Sequence, residues 1–352
     1  MTAPLLSIRD LSVAFQSYGP PALVVEHLNL TVRRGEILGL VGESGCGKSV
    51  LARSILRLLP TPPARLTGEV FFGENLPMAS SRAPGLLASE KEVFPGENLL
   101  TASPKRLRAV RGGEISMIFQ EPMTSLNPVF TVARQMTEVV RLHTGAGRIK
   151  AKNICCDFLA AVKLPDPGTV MGKYPHQLSG GQRQRVMIAL ALSCGPKLLI
   201  ADEPTTALDV TVQSQVLALL NDLTRARGVS TLFITHDLGV VAQLCDRVAV
   251  MYSGHLVELA PVESLFERPA HPYTRGLLAA IPTISNPRLH LPAIPGQVPN
   301  PAAPPPGCRF HPRCEQRLEQ CVREAPALTP YGEHWAACHN PDRPALGQGW
   351  RP

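Results

Sequence analysis

The stretch GESGCGKS, residues 42–49, has the glycine-rich spacing G-x-x-x-x-G-K-S of a phosphate-binding loop. A short apolar run, residues 36–41, precedes it, and residues 50–59 after it carry apolar side chains at helical spacing. In a strand–loop–helix context, backbone N–H groups and the helix N-terminus converge on phosphate. Lys48 is expected to reach the β- and γ-phosphates, and the Ser49 hydroxyl to bind Mg²⁺. The stretch predicts an α/β fold that binds a nucleotide and a magnesium ion.

The predicted nucleotide site has a phosphate part and a base part. An aromatic side chain shortly before such a loop can stack on the base; Phe15 is the first candidate and Tyr18 the second. The alternative for Phe15 is an ordinary strand aromatic. The phosphate contacts are expected from Gly42, Ser44, Gly45, Cys46, Gly47, Lys48, Ser49 and Val50.

The composition limits the classes of protein that this chain can represent. Its 352 residues allow two or three domains and a substantial core. The net charge of +7 comes without a dense Lys/Arg run, which favours scattered solvated charge over a nucleic-acid footprint. The N-terminus lacks a signal-peptide pattern, and no apolar run approaches the ~20 residues that span a bilayer. We therefore expect a soluble chain that reaches a membrane only through a partner.

Polar side chains follow three further predicted strands. Gln120 ends one strand, Asp202 and Glu203 end an apolar strand, and His236 follows another. Ligands bind at the carboxyl ends of strands in open α/β sheets. Asp202 is expected to bind Mg²⁺, Glu203 to position or deprotonate water, His236 to contact the γ-phosphate, and Gln120 to face the metal or the water. Any one of these alone could be structural, but together they predict a hydrolytic site.

A second predicted anion-binding nest lies at LSGGQ, residues 178–182, where a serine and two glycines open a helix. An ordinary helix cap is the alternative. The expected contacts are Ser179, Gly180, Gly181 and Gln182.

The rest of the chain divides into regular segments and a proline-rich tail. Strands are predicted over much of residues 5–40, helices over 132–142 and 149–162, and a hairpin over 247–259. Residues 77–104 suggest an inserted surface loop, and residues 282–352 an irregular tail.

Four cysteines in this tail have the spacing C-x5-C-x6-C-x16-C; they are Cys308, Cys314, Cys321 and Cys338. Zinc sites usually include a short C-x2–4-C pair, which is missing here, and the spacing also differs from the common ferredoxin patterns. Disulfides are disfavoured without a signal peptide. The spacing alone leaves zinc and an Fe–S cluster about equally supported.

Taken in order, these motifs resemble those of ABC-transporter ATPase subunits. Residues 42–49 are similar to the Walker A loop, Gln120 to the Q-loop, residues 178–182 to the signature motif, residues 198–203 to Walker B with its catalytic glutamate, and Asp209 and His236 to the D-loop and switch histidine. The resemblance implies an ABC cassette, a P-loop NTPase with a RecA-like core sheet, an N-terminal antiparallel β-subdomain and a helical signature subdomain.

Several segments further resemble the oligopeptide/dipeptide/nickel importer subfamily, and its first ("D") ATPase subunit more than its second. They are residues 117–128, 174–177, 201–213, 271–278 and 307–314. The implied domains are an ATPase over residues 5–270, with its helical subdomain at about 121–195, and a C-terminal extension over 271–352 with a four-cysteine site. The segment after Gly73 is about 20–25 residues longer than this family leads us to expect.

The resemblance implies a heterodimer with a sister ATPase, in which each ATP lies between one subunit's Walker A loop and the other's signature motif. On one ATP, Lys48, Ser49, Gln120, Asp202, Glu203 and His236 would act, whereas residues 179–181 would contact the partner's ATP. Two transmembrane permeases, and indirectly a solute-binding protein, complete the expected importer of di- or oligopeptides at the cytoplasmic face of the bacterial inner membrane.

The resemblance also favours a [4Fe–4S] cluster over Zn²⁺ at the four cysteines, beside ATP and Mg²⁺ as the other expected ligands. Alternatives to a peptide importer are an importer of nickel or another solute and a soluble ABC ATPase that acts on DNA or ribosomes. The soluble relatives need a long coiled-coil insertion or two cassettes, and the chain has neither. A zinc-bearing nucleic-acid module is disfavoured because the tail lacks a C2H2 spacing and a dense basic helix.

Overall fold

The computed structural model describes residues 4–16, 19–73, 96–120, 125–206, 208–281, 293–331 and 334–341. Within these ranges the strands are β1 Pro4–Phe15, β2 Ala22–Arg33, β3 Ile37–Val41, β4 Ala64–Phe72, β5 Glu97–Asn98, β6 Ile115–Ile118, β7 Leu198–Asp202, β8 Ser230–Ile234, β9 Arg247–Tyr252, β10 His255–Pro261, β11 Thr329–Tyr331 and β12 His334–Ala336. The α-helices are α1 Lys48–Ile55, α2 Pro104–Val110, α3 Val132–Thr144, α4 Arg148–Ala161, α5 Pro167–Gly172, α6 Gly180–Leu192, α7 Val210–Ala226, α8 Leu238–Leu244, α9 Val262–Glu267, α10 Pro272–Ala279 and α11 Glu319–Arg323.

The chain forms two compact units, which are described separately. The first unit comprises Met1–Thr101 and Thr235–Pro352, and the second comprises Ala102–Ile234.

The first unit begins with an antiparallel sheet in the order β2-β1-β4-β5. Strand β1 is central and pairs with β2 and with β4, for example through Ile8 opposite Leu30 and opposite Val70. All three side chains are buried, so one face of this sheet supplies an apolar core. This sheet is the expected N-terminal antiparallel β-subdomain.

The remaining strands of the first unit follow the order β11-β12-β10-β9-β3. Strand β3 is buried at all five positions and pairs in parallel with β9, which suits a central strand covered on both faces. Strands β9 and β10 form the predicted hairpin. Over residues 293–331 and 334–341 the tail is largely irregular, as expected, but β12 pairs with β10 through Trp335 opposite Leu259, so the tail also extends this sheet.

The second unit contains a parallel sheet of β6, β7 and β8, with β7 in the middle and buried at all five positions. Helices α3 and α4 correspond to the two predicted helical segments, and they pack against each other. Each buries an i, i+4, i+8 stripe: Val132, Met136 and Val140 on α3, and Ala151, Cys155 and Leu159 on α4. Helix α6 packs against α4 and β6.

Two regions singled out in the sequence fall partly or wholly outside the described residues. Tyr18 does, and so do residues 74–95, which make up most of the predicted inserted loop. Among the described helices, none is long and apolar enough to cross a membrane.

Candidate active site

The glycine-rich loop in the first unit connects β3 to α1, which confirms the predicted strand–loop–helix context. Two of its glycines are fixed by close backbone contacts. Gly42 has φ +153° and Gly47 has φ +107°, conformations that side chains disfavour. A Cβ atom would lie 2.1 Å from the Met251 carbonyl oxygen at Gly42 and 2.8 Å from the Val24 carbonyl oxygen at Gly47. The loop therefore packs directly against neighbouring backbone, and only glycine fits at these two positions.

Lys48, the lysine of this loop, is 5% exposed. Its ammonium group donates hydrogen bonds to the carbonyl oxygens of Gly42 at 2.7 Å and Glu43 at 3.0 Å. A buried ammonium needs such acceptors, because an unpaired charge in the interior is costly. Ser49, the next residue, is half-buried at the start of α1. The loop thus places an ammonium and a hydroxyl at a helix N-terminus, which is the donor set that suits a phosphate with Mg²⁺.

Two other predicted site residues lie in the first unit. His236 is exposed and follows Thr235, whose N–H donates to the carbonyl oxygen of Leu40 in β3, at 3.3 Å. This bond holds Thr235 against β3, the strand that leads into the loop, and His236 is the next residue along the chain. Phe15 is half-buried at the end of β1, opposite Ala22 and Ala64. Its stacking role stays a prediction.

In the second unit, the register of β6 and β7 brings Gln120 and Glu203 together. Ile118 lies opposite Ala201, so the residues two positions further along each strand are neighbours. The Gln120 Nε2 atom donates to Glu203 Oε2 at 3.1 Å. Asp202, at the end of β7, is completely buried. The strand ends thus collect two carboxylates and an amide at one edge of this sheet, as the sequence predicts.

Glu203 has a left-handed backbone conformation, with φ +46°. Its N–H donates to the carbonyl oxygen of Ile234 at 2.9 Å, which holds this conformation. The Thr206 hydroxyl lies 3.0 Å from Glu203 Oε2 and 3.1 Å from the Glu203 carbonyl oxygen. Sequence reasoning missed Thr206, although a hydroxyl three residues after a strand-end carboxylate is a recognisable turn signal. A strained residue held by several contacts is typical of functional positions.

The LSGGQ stretch forms the start of α6, also in the second unit. Ser179 is the N-cap: its hydroxyl accepts from the Gln182 N–H at 3.2 Å, and the Gln182 side chain accepts from the Ser179 N–H at 3.1 Å. This reciprocal pair is a capping box. Ser179 and Gly180 are exposed. A Cβ at Gly181 would lie 2.9 Å from Val212 Cγ1. The stretch therefore forms the helix cap that was the alternative, and the anion-binding role of its exposed face stays a prediction.

The predicted ATP-site residues therefore occur in both units. The first unit contains residues 42–50, Phe15 and His236, and the second unit contains Gln120, Asp202, Glu203 and the LSGGQ stretch.

The four tail cysteines lie in the first unit and have free thiols. The Cys308 N–H donates to the Cys321 carbonyl oxygen at 2.8 Å, and the other three cysteines each add to the raised pKa of Cys338. Burial is the main cause that raises the pKa of Cys338 to about 11, and it also raises the pKa of Cys308 and Cys314. Each of the four sulfurs accepts a backbone N–H bond. Across the described parts of the chain, however, no group of three or more His, Cys, Asp or Glu side chains is placed to hold a metal ion.

Two protein families match separate parts of the chain. The ABC transporter family matches residues 25–206, which include the glycine-rich loop, Gln120, the LSGGQ stretch and Glu203. The family described as "Oligopeptide/dipeptide transporter, C-terminal region" matches residues 257–321, which include three of the four tail cysteines.

Individual relatives match nearly the full length. The chain is 45% identical to a putative peptide import ATP-binding protein of Brucella abortus, over 96% of this chain and 95% of the relative. It is 47% identical to the probable D,D-dipeptide transport ATP-binding protein DdpD of Escherichia coli, over 96% of each. A dimeric ATP-binding cassette solved with ADP and Pi has the same fold, with a TM-score of 0.59 and 24% identity over 73% of this chain and 98% of that one. The chain belongs to the ATP-binding subunits of ABC transporters, within the group that carries the oligopeptide/dipeptide transporter C-terminal region.

Proposed function

We propose that this ATPase subunit powers the import of di- or oligopeptides across the bacterial inner membrane. The observation that carries the proposal is the combination, in one chain, of the ABC transporter match over residues 25–206 and the oligopeptide/dipeptide C-terminal match over 257–321. The names of the full-length relatives support the same class of solute. The alternative is an importer of nickel or another solute, which uptake measurements distinguish from a peptide importer.

The proposed reaction converts ATP and water to ADP and phosphate. Lys48 would exchange its loop carbonyl partners for the β- and γ-phosphate oxygens. The Ser49 hydroxyl and the Asp202 carboxylate are hard oxygen donors of the kind that Mg²⁺ prefers, and Gln120 would add its amide oxygen. Bound Mg²⁺ would neutralise the charge that develops on the phosphates.

Glu203 is the proposed general base. Its carboxylate is held by Gln120 at 3.1 Å and by Thr206 at 3.0 Å, so it is already oriented. There it would accept the proton of the attacking water as the oxygen–phosphorus bond forms and the bond from the γ-phosphorus to the β–γ bridging oxygen breaks, with ADP as the leaving group. His236, exposed beside the strand that leads to the loop, would donate a hydrogen bond to the γ-phosphate. Phe15 would stack on the adenine base.

We further propose a head-to-tail heterodimer with a sister ATPase. The exposed cap of α6, with Ser179, Gly180, Gly181 and Gln182, would contact the ATP bound by the partner. Two transmembrane permeases would complete the transporter at the cytoplasmic face of the membrane, with a solute-binding protein outside. The functional domains proposed are an ATPase over residues 5–270, with its helical subdomain at about 121–195, and an extension over 271–352.

The tail cysteines are the proposed ligands of a [4Fe–4S] cluster, with Zn²⁺ as the alternative. Support comes from the backbone N–H bond that each of the four sulfurs accepts, and from the influence of the other three cysteines on the pKa of Cys338. Hydrogen bonds to sulfur are one of the ways in which proteins tune such clusters. Anaerobic purification followed by iron, sulfide and zinc assays tests this point. Zinc-loaded, iron-free protein would overturn the cluster proposal.

The transport proposal is tested with the complete transporter in proteoliposomes. ATP turnover and uptake of a labelled dipeptide are measured with wild-type chain and with Glu203→Gln. We expect peptide uptake that depends on ATP, and a loss of turnover by roughly 10²–10⁴-fold in the variant with ATP binding retained. Uptake of Ni²⁺ instead of peptide would favour the alternative solute. Near-normal turnover of Glu203→Gln would refute the general-base assignment.

A further inference from the structure

The C-terminal extension contacts the phosphate-binding loop directly, through the segment from Cys308 to Cys314. A short 3₁₀ turn at His311–Arg313 follows Phe310, and side chains three residues apart eclipse in this geometry. Phe310 and Arg313 therefore share one face, and both are buried. The Phe310 ring lies edge-on to Tyr252, with centroids 5.2 Å apart. The segment thus packs against aromatic side chains at the end of β9.

Arg313 uses all of its donors in this position. Nη1 lies 2.6 Å from Glu43 Oε2 and 3.4 Å from the Tyr252 hydroxyl, and Nη2 lies 3.0 Å from Glu43 Oε1 and 3.2 Å from the Ile294 carbonyl oxygen. Nε donates to the Pro295 carbonyl oxygen at 2.7 Å. A guanidinium has five N–H groups, and five acceptors surround this one. Lysine offers three donors from one point and cannot replace it.

Glu43, the acceptor of the paired bonds, is the second residue of the phosphate-binding loop. The extension also holds the main chain of Glu43, because the Glu43 N–H donates to the hydroxyl of Tyr273, a residue of the extension, at 2.9 Å. Tyr273 is completely buried, and burial raises the pKa of its phenol. The Glu43 carbonyl oxygen in turn accepts from the Lys48 ammonium at 3.0 Å. Side chain, N–H and carbonyl of one loop residue therefore link the extension to the phosphate-binding lysine.

We propose that Arg313 is a positioning residue for ATP binding: it fixes Glu43, and through Glu43 the carbonyl that holds Lys48 in the loop. A loop already held in one conformation loses no further conformational freedom when phosphate binds, so the affinity of the loop for phosphate is higher. A bidentate charge-assisted pair is the strong form of such a constraint. Without it, ATP affinity falls about tenfold, whereas the rate of the chemical step changes less, since neither residue contacts the water or its base.

The experiment measures the ATP Kd of the full-length chain and, with the sister ATPase and the permeases present, its single-turnover hydrolysis rate. The variants are Arg313→Met, Arg313→Lys, Glu43→Gln and the double variant Arg313→Met/Glu43→Gln. Arg275→Met is the matched control, because Arg275 belongs to the same extension but hydrogen-bonds Gln316 within it, at 2.6 Å. Melting temperature is recorded for each protein, so a loss of stability is separated from a loss of affinity.

We expect each single variant to raise the Kd about tenfold, Arg313→Lys included, and the double variant to bind no more weakly than either single one. Arg275→Met keeps the wild-type Kd. Additive effects in the double variant, or a wild-type Kd in Glu43→Gln, overturn the proposal, and so does a melting temperature that falls while the Kd stays constant. If Arg313→Met does not fold, Glu43→Gln decides alone, because it breaks the same contact from the exposed side. The ATP Kd decides the test, so the outcome is independent of the transported solute.

Discussion

The backbone at Glu203 offers a direct test of whether strain is stored at the proposed general base. Its φ of +46° lies in the left-handed region, where a Cβ atom approaches the following carbonyl oxygen. Glu203→Ala and Glu203→Gly both remove the carboxylate and its bonds to Gln120 and Thr206. The two variants differ only in the Cβ atom. Their comparison therefore isolates the backbone from the lost hydrogen bonds.

The expected difference follows from two opposing effects. The left-handed conformation costs a residue with Cβ roughly 1–2 kcal/mol, and glycine avoids this cost. Glycine loses about 0.5–1 kcal/mol more conformational freedom on folding than alanine. The balance makes Glu203→Gly more stable than Glu203→Ala by about 0.5–1 kcal/mol, which is the reverse of the usual order of these residues. In Glu203→Gln the backbone strain is unchanged, so its stability is close to wild type.

The assay is thermal unfolding of the three variants and wild type, at one protein concentration without nucleotide. A difference of this size corresponds to about 1 °C between Glu203→Gly and Glu203→Ala. The strain argument is refuted if Glu203→Ala melts at the same temperature as Glu203→Gly or above it. ATP turnover, measured in parallel, is expected to be lost in all three variants, because none carries a base at this position.

Three other predictions concern stability. Gly47→Ala lowers the melting temperature more than Gly45→Ala. Both glycines have positive φ, but only a Cβ added at Gly47 meets backbone, 2.8 Å from the Val24 carbonyl oxygen. Equal melting temperatures would contradict this. Ser179→Ala costs about 1 kcal/mol of stability and Ser179→Gly only a few tenths, measured in the same way, because alanine lacks a capping oxygen and glycine tolerates the cap conformation. Burial lowers the pKa of His271 from 6.5 to about 4, so the unfolded chain binds a proton at His271 before the folded chain does. About 3 kcal/mol of stability is therefore lost as the pH falls between these values. His271→Gln should reduce this pH dependence of stability, measured by unfolding from pH 7 to 4.

The elements that carry the proposed catalytic residues could be predicted because their signals are local. Residues 37–41 and 198–201 are apolar runs, and runs of this length that end in turn residues favour buried strands. The glycine spacing of the loop and the capping pattern at Ser179 each occupy fewer than ten residues. The register of β6 and β7, which the sequence does not determine, then brings Gln120 to Glu203.

The contacts of the C-terminal extension could not be predicted because they join distant residues. Arg313 meets Glu43 across 270 positions, and neither residue type nor spacing signals such a pair. The pairing of β12 with β10 was missed for a related reason. The strand His334–Ala336 has three residues, too few to show alternation, and its partner strand lies more than seventy residues earlier. Prolines in the tail suggested irregular chain, and tertiary pairing overrode that local tendency.

The arrangement around Lys48 suggests why the loop is braced from the extension. The Lys48 ammonium already donates to the Gly42 and Glu43 carbonyl oxygens, so phosphate has to compete with these acceptors. Replacing these carbonyl acceptors by phosphate is favourable only if the carbonyl groups stay in place when the Lys48 ammonium moves. In a mobile loop the carbonyl groups would move with the ammonium, keep their hydrogen bonds to it and weaken its bonds to phosphate. Glu43 is prevented from moving by its side chain at Arg313 and its N–H at Tyr273. A fixed loop therefore makes the transfer of Lys48 to phosphate a change of hydrogen-bond partner with little change of backbone, which is the condition for tight and reversible nucleotide binding.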